Sequence, residues 1–325
     1  MRSRSARIHE TGCETVPEPE EPNVPRVMWQ LLEPLHAVTY FAPEARAAAD
    51  AVGMRGFWMG YFAARAAPLG PVGPGVVTAA FHGFPPARVA RALPDAWTFA
   101  TPGDVLRARL DGAGAALRNL LTDKVIGSDD LRAAADLAWE AAGLADTAGR
   151  VLGAANQALP APDEPHLLLW QAVTTLREHR GDGHVAALVA HGVSPVQSHL
   201  LKVASGETDL DQLRLARPWD DAEWEAGAAA LRERGWVDGS GVLTAEGARE
   251  RGRIERLTDE AAAVPWRALG DERTSALALL LHPLAMAVLE SGVLPHLNPI
   301  GLPRPPAAGE DGRELTLPAA SSPIG

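Results

Sequence analysis

Apolar residues recur at helical spacing along most of the chain between residues 27 and 289. Residues three and four positions apart lie on one face of an α-helix, so this spacing predicts amphipathic helices packed around a core. Glycine and proline stand mostly between the apolar runs, and aromatic residues make up only 5% of the chain. Alanine, a strong helix former, is frequent. The pattern predicts a fold dominated by α-helices, an all-α class.

The segment Pro160-Ala161-Pro162 divides this helical pattern into two parts. With 325 residues the chain is long enough to form two ordinary cores. We therefore predict two packed helical halves, an N-terminal helical domain at residues 26–160 and a second domain at residues 161–302. We predict a disordered leader at residues 1–25, where glutamates stand among prolines, and a disordered tail at residues 303–325.

A charged segment at residues 178–183 (EHRGDG) separates two apolar helical runs in the second half. The two glycines that flank Asp182 allow a sharp turn, and Asp182 can cap the N-terminus of a helix that opens near Gly183. The pattern predicts two core-facing helices joined at a polar junction, which points inward or lies at the edge of the core.

This junction is the first candidate site. Its charged side chains could form a buried network that joins helices and needs no substrate. In the functional alternative, Arg180 pairs with a substrate carboxylate while His179 or His184 moves protons, because a neutral imidazole works near pH 7. Under this hypothesis the catalytic candidates are His179, Asp182 and His184, and the ligand-binding candidates are Glu178 and Arg180.

An aromatic block at residues 57–62 (FWMGYF) is the second candidate site. Such spacing is typical of a core-facing helix. The functional alternative is a stacking wall for a flat ligand, with Arg55 or Arg65 as the anchor for an anion. The ligand-binding candidates from the first half are Arg55, Trp58, Arg65 and His82. We predict that this block and residues 179–184 form one pocket between the two halves.

Metal and cofactor chemistry stays open at the level of the sequence. The single cysteine, Cys13, excludes an intramolecular disulfide and a cysteine metal cluster. The alternative ligand sets for a catalytic metal combine histidine with carboxylate, drawn from His179, His184, His191 and His199 and from Asp182 and Glu178. A single axial histidine could instead bind haem. Histidines at helix ends also bond free carbonyl groups. The metal and the cofactor are therefore left unknown.

Charge and hydropathy limit the partners. A net charge of −11 argues against an extended phosphate-binding face, which needs clustered lysine and arginine. No apolar segment follows the arginines near the start, so no secretory segment is predicted. The longest apolar run, residues 276–289, is shorter than the roughly 20 residues that span a bilayer and contains Pro283. We expect a core helix kinked or split at Pro283, no membrane partner and a cytoplasmic location.

The order helix, hairpin, helix in the second half predicts a winged helix. Residues 195–204 and 224–234 fit two helices, and residues 236–243 fit two short strands around a turn before Thr244 caps a long helix.

The run GWVDGSGVLTAEG, at residues 235–247, resembles the wing and the start of the following helix in MarR-type regulators. Over nearly its whole length the chain also resembles a large actinobacterial family of helix-turn-helix proteins of undetermined role. The matching blocks include LHAVTYFAPEA, GFWMGYFAARAAPLG and LREHRGDGHVAALVAHG. The resemblance implies a winged-helix fold, DNA as a partner and a homodimer, and it assigns no catalytic residue.

The residues that would meet DNA disfavour this partner. A recognition helix needs basic or amide side chains in its first turns. The corresponding helix opens with Asp220, Asp221, Glu223 and Glu225. We expect a protein that binds a small, partly aromatic or anionic molecule on a winged-helix scaffold that has lost DNA binding. Enzymatic use of the His/Asp/Arg junction is left open. The alternative is a MarR-type, ligand-responsive transcriptional regulator.

Overall fold

The computed structural model describes residues 23–295, 298–302, 304–307 and 317. These residues form seventeen α-helices and one 3-10 turn, and none of them lies in a β-strand, so the all-α prediction is confirmed. The helices are α1 (Val24–Phe41), α2 (Pro43–Ala51), α3 (Gly56–Ala66), α4 (Pro74–Phe81), α5 (Pro86–Ala90), α6 (Ala96–Phe99), α7 (Pro102–Leu120), α8 (Asp123–Ile126), α9 (Asp129–Leu144), α10 (Val151–Gln157), α11 (Pro165–Ala190), α12 (Pro195–Ala204), α13 (Leu210–Ala216), α14 (Asp221–Glu233), α15 (Ala245–Ala261), α16 (Val264–Leu269) and α17 (Asp271–Glu290). The 3-10 turn spans Ala67–Leu69.

The predicted leader at residues 1–25 lies outside the described residues up to residue 22, and most of the predicted tail at residues 303–325 lies outside them as well. Within the described part, α1 begins at Val24, because the side chain of Asn23 accepts a hydrogen bond from the backbone N–H of Arg26 and caps the helix.

The predicted interruption at residues 178–183 is wrong, because α11 runs without a break from Pro165 to Ala190. Its glycines permit close packing instead of a turn. A Cβ atom at Gly183 would lie 2.8 Å from Nη1 of Arg150 and 3.0 Å from Cβ of Ala261. Helix α10 approaches in the same way, since a Cβ atom at Gly153 would lie 2.9 Å from Cα of His179. Neighbouring helices therefore pack tightly on α11 at these glycines.

Helix α11 is central to the packing and contacts α1, α7, α9, α10 and α15. The largest apolar cluster joins Leu31 and Leu131 with Trp170, Val173 and Leu281. It thus includes residues from both sides of residue 160. The division into two domains at this position stays a prediction, and the main core extends across it.

A second apolar cluster is built from the aromatic residues of α3, α4 and the segment that follows, with Phe62, Phe81 and Phe84 at its centre. Two smaller clusters hold the region after residue 186 together. One joins Leu188 on α11 to Leu231 on α14, and the other joins Val196 on α12 to Trp224 on α14.

The predicted strands near residue 240 reduce to an isolated antiparallel bridge between Val237 and Leu243. The backbone N–H of Asp238 donates to the carbonyl of Val242, and that of Thr244 donates to the carbonyl of Trp236. Thr244 is already the N-cap of α15, so no residue remains to lengthen the pairing.

Helix α17 is long and apolar enough to cross a membrane by length and composition alone. In the fold it packs against α1, α9 and α16, and Leu277, Leu281 and Val288 are buried. The helix continues through Pro283 and is not split there. The prediction of a core helix is confirmed.

Candidate functional site

A cavity of about 290 Å³ lies between α1, α2, α3, α7 and α11. Its volume is at the lower end of the range for small-ligand pockets, which is roughly 300–1,000 Å³. Phe57 and the side chain of Arg46 are 43% and 41% exposed and mark the mouth. Trp170 and Glu178 are buried and form part of the floor. The cavity therefore leads from the surface to buried polar groups on the central helix.

Helical periodicity explains why these side chains converge. Residues four positions apart lie on one face of a helix, and four helices contribute such sets to the wall. The sets are His36 and Tyr40 on α1, Tyr61 and Arg65 on α3, Val105 and Arg109 on α7, and Trp170, Thr174 and Glu178 on α11.

A two-pronged ion pair joins the aromatic helix to the central helix. Nε and Nη2 of Arg65 donate to the two carboxylate oxygens of Glu178, at 2.7 and 2.8 Å. Arg177 donates to the same carboxylate at 3.0 Å. Burial alone would raise the pKa of Glu178, but Arg65 and Arg177 hold that pKa well below its usual value. Glu178 is therefore a carboxylate, and it compensates the charge of Arg65.

Arg109 is held in a different way. Its guanidinium donates to the carbonyl of Ala64 at 3.3 Å and to the side-chain oxygens of Asn156 and Gln171, each at 3.2 Å. These acceptors are neutral, and Nε of Arg109 has no hydrogen-bond partner among the described residues. The side chain also lies over the ring of Trp170, at 5.3 Å. Burial lowers the pKa of Arg109 to about 10, which still leaves it charged near pH 7.

Aromatic rings form much of the remaining wall. The centroids of Tyr40 and Tyr61 are 5.1 Å apart, and Phe57 stacks on Tyr61 at 6.2 Å. Nε2 of His36 lies 2.9 Å from the hydroxyl of Tyr40, and Nδ1 lies 3.0 Å from Oγ1 of Thr174. Burial, with the nearby Arg177, lowers the pKa of His36 well below its usual value. The wall is thus suited to a flat molecule beside a neutral imidazole.

The sequence-derived ligand-binding residues are only partly in this cavity. Arg65 and Glu178 line it, whereas residues 179–184 do not, so the cavity is not the predicted pocket between the aromatic block and residues 179–184. Arg55 is exposed and stacks on Phe99 at 4.3 Å. Trp58 packs into the aromatic cluster. Four of the six candidates, namely Arg55, Trp58, His82 and Arg180, are absent from the lining.

His82 and Arg180 lie outside the cavity and contact other parts of the protein. His82 ends α4 in the left-handed region, at φ 53°. Arg180 is buried and pairs with Asp259 on α15 at 2.6 Å, with its guanidinium 4.8 Å from the ring of Trp29. Its contacts link α11 to α15 and α1.

The three residues predicted as catalytic have separate structural partners. Nε2 of His179 lies 2.9 Å from Asp146. Asp182 accepts hydrogen bonds from the backbone N–H groups of Leu152 and Gly153, at 2.9 and 2.8 Å, so it caps α10 and not a helix of its own segment. Nδ1 of His184 lies 3.0 Å from Oγ1 of Thr258.

Asp182 and His184 are therefore not hydrogen-bonded to each other. Burial raises the pKa of Asp182 to about 6 and lowers that of His184 to about 4. None of the three residues predicted as catalytic lines the cavity.

The alternative metal-ligand sets are also dispersed. Nδ1 of His191 bonds the carbonyl of Ala187 in its own helix, and Nε2 of His199 bonds the carbonyl of Gly83. In the part of the chain that the structure describes, no group of three or more histidine, cysteine, aspartate or glutamate side chains could hold a metal ion.

Sequence reasoning missed Arg109 and the pair His36 and Tyr40. A signal for Arg109 was present, because it stands four residues after Val105 and four before Ala113, both buried on the apolar face of α7. A charged side chain at such a position is either paired in the interior or used by a ligand. His36 gave a similar signal, as a polar side chain in the apolar run of α1.

Comparison with known proteins gives a family. A model of a helix-turn-helix family matches residues 25–295. No curated protein and no solved structure matches the chain.

Proposed function

The chain belongs to this helix-turn-helix family, and within that scaffold we propose that it binds a small molecule in the cavity between α1, α2, α3, α7 and α11. The observation that carries the proposal is the cavity itself. Its wall combines aromatic rings with a few convergent polar groups, which is the usual composition of a small-molecule site. The ion pair between Arg65 and Glu178 fixes two of these groups in place.

The proposal is for binding and assigns no reaction. His179, Asp182 and His184 each have a structural partner outside the cavity. A cytoplasmic location and the lack of a membrane partner belong to the same proposal.

Filling the cavity tests the proposal. Ala64 lines it, whereas Ala47 on the neighbouring helix α2 is exposed and does not. Small aromatic molecules that raise the melting temperature of the wild-type protein should fail to do so with Ala64→Phe and should still do so with Ala47→Phe. Equal responses of both variants, or no response of the wild type to any compound, would overturn the proposal.

Loss of DNA binding is a further part of the proposal. The order of α12, α13, α14, the Val237–Leu243 bridge and α15 supports the proposal of a winged helix, in which α14 would take the recognition position. The end of α14 that would face DNA carries Asp220 and Glu223, which form a capping box, and the exposed Asp221. Carboxylates at this end repel phosphates.

Three basic side chains around α14 already form ion pairs or hydrogen bonds within the protein. Arg232 pairs with Glu225, and Arg214 pairs with Asp221. Arg234 donates to the carbonyls of His191 and Gly192. These contacts reduce the positive charge available to DNA.

A ligand-responsive transcriptional regulator of the MarR type, active as a homodimer, is the second candidate. A series of contacts from the cavity to α14 favours this second candidate. Tyr61 lines the cavity and its ring lies 5.4 Å from that of Phe84. The guanidinium of Arg217 lies 3.9 Å from the ring of Phe84, three residues before the N-cap of α14. A ligand could thereby change the position of α14.

A gel-shift experiment at low salt with the protein's own promoter region separates the two candidates. The proposal of a small-molecule-binding protein that has lost DNA binding predicts no protein–DNA complex at nanomolar protein. A complex that weakens with rising salt and in Arg249→Ala or Arg251→Ala, and that responds to ligand in the wild type but not in Arg217→Met, would establish the regulator.

A further inference from the structure

Arg109 differs from the other arginines that line the cavity. Arg46 pairs with Asp50, and Arg65 pairs with Glu178. Arg109 is 9% exposed and has no ion-pair partner among the described residues. The cavity therefore contains one guanidinium group that no carboxylate of the described residues contacts, and Glu178 acts on it only as a nearby charge.

The hydrogen bonds of Arg109 leave part of its binding capacity unused. A guanidinium has five N–H donors. Three hydrogen bonds reach neutral oxygens of Ala64, Asn156 and Gln171. Nε has no partner among the described residues but is closed to solvent, so the N–H left for a ligand is the second one of Nη1. A buried charge without a counterion is unfavourable, so such an arrangement is expected where a ligand supplies the opposite charge.

Resting on the proposed function, we infer that the ligand is an organic monocarboxylate with a flat apolar body, and that its carboxylate pairs with Arg109. Nη2 already donates to Asn156 and Gln171, so the carboxylate would accept a charge-assisted hydrogen bond from the second N–H of Nη1. One negative charge is enough to pair with Arg109, because Glu178 already pairs with Arg65 and Arg177. A dianion would bring its second charge toward Glu178, which is itself a carboxylate on the same wall.

The shape of the cavity supports the flat body. The rings of Tyr40, Tyr61 and Phe57 follow one another from the interior to the exposed mouth. Trp170 lies beside Arg109 on the floor. A planar ring can stack against these groups while its carboxylate reaches the guanidinium.

Matched pairs of probes test the inference by calorimetric titration of the full chain near pH 7. The pairs are benzoate with benzamide and 2-naphthoate with 2-naphthamide, because each amide keeps the shape and lacks the charge. We expect each carboxylate to bind at least about tenfold more tightly than its amide, as for a charged hydrogen-bonded pair. Arg109→Gln should abolish this preference. Arg107→Gln should keep it, because Arg107 lies on the same helix but is exposed and outside the lining.

Each contrary outcome has its own meaning. Amides that bind as tightly as carboxylates, with no effect of Arg109→Gln, overturn the inference and leave the proposed function intact. If phenyl phosphate binds more tightly than benzoate, the inference that the ligand is a monocarboxylate is wrong. No binding of any probe overturns both.

If Arg109→Gln does not fold, Arg109→Lys takes its place. This variant keeps the charge, but its ammonium group cannot bond Ala64, Asn156 and Gln171 and also reach the ligand, so carboxylate affinity should fall while amide affinity stays. Unchanged carboxylate affinity in Arg109→Lys overturns the inference.

Discussion

Glu178 supplies the only carboxylate among the residues that line the cavity, and the guanidinium groups of Arg65 and Arg177 both contact it. Glu178→Gln would leave the buried Arg65 without a counterion. We expect the free energy of unfolding to fall by about 3 kcal/mol or more, which is typical of one partner removed from a buried ion pair. Urea denaturation monitored by circular dichroism measures this change.

The matched control is Glu225→Gln. Glu225 pairs with Arg232 on the exposed side of α14, where solvent screens the pair. Its loss should cost about 1 kcal/mol at most. Equal effects of the two substitutions would show that the Arg65–Glu178 pair is not buried as described.

His184 gives a pH-dependent contribution to stability. Its folded pKa is lowered by burial to about 4, below the ordinary value near 6.5. As the pH falls below about 6.5, the unfolded chain takes up this proton before the folded protein does. The stabilisation is therefore present at neutral pH and is lost between pH 6.5 and about 4, by up to about 3 kcal/mol.

The test compares wild type and His184→Gln, whose amide can still bond Thr258. Unfolding free energies measured from pH 7 to 4.5 should decrease less in the variant, although His36 and His199 keep part of the slope through their own lowered pKa values. Parallel pH profiles would contradict the assignment.

At the scale of residues, sequence reasoning identified Arg65 and Glu178, because unusual charges stood beside apolar and aromatic helical faces. It also selected Arg55 and Arg180, which the fold directs to Phe99 and Asp259. Helical spacing tells which side chains share a face of one helix. It does not tell which other helix that face meets, and this decides between a ligand site and an internal ion pair.

At the scale of elements, Gly181 on α11 and Gly153 on α10 differ in the space that a Cβ atom would have. A Cβ atom at Gly181 would have its nearest neighbours at 3.7 Å, an ordinary contact, whereas one at Gly153 would lie 2.9 Å from the backbone of His179. Gly181→Ala should raise the free energy of unfolding by about 0.5–1 kcal/mol, because alanine restricts the unfolded chain. Gly153→Ala should lower it by about 1–3 kcal/mol through overpacking.

Thermal unfolding of both variants checks this pair of predictions. A loss of stability in Gly181→Ala would mean that α11 bends at this glycine. A stable Gly153→Ala would mean that α10 lies farther from α11 than the structure has it.

Helix starts were the part of the fold most accessible from sequence. Thr244 caps α15 as predicted, and Thr101, Ser128 and Ser194 cap α7, α9 and α12 in the same way, because the cap is a local hydrogen bond. The continuity of α11 through residues 178–183 could not be predicted from the sequence. The pair of glycines in its middle permits either a turn or a close helix contact, and the decision rests on distant residues, Arg150 at the N-cap of α10 and Ala261 on α15.

At the scale of the whole molecule, the two predicted halves meet in one core. Residues 161–302 alone would expose Leu169, Trp170 and Val173, which pack against residues of α1 and α9. We therefore expect this fragment to lack cooperative unfolding, whereas residues 23–302 keep it. Calorimetry of both chains makes the comparison. A sharp transition in residues 161–302 would instead support independent domains divided at residue 160.

Helix α11 has a mechanical consequence for the molecule. Glu178 lines the cavity, and Ala187 and Leu188 near the far end of the helix pack in the cluster that contains Leu231 of α14. Each hydrogen-bonded turn of a helix constrains the next, so an uninterrupted helix acts as a torsion rod. A rotation of α11 at Glu178 on ligand binding would therefore also rotate Leu188. The packing of Leu188 against Leu231 is where a response to ligand in the cavity would be measured.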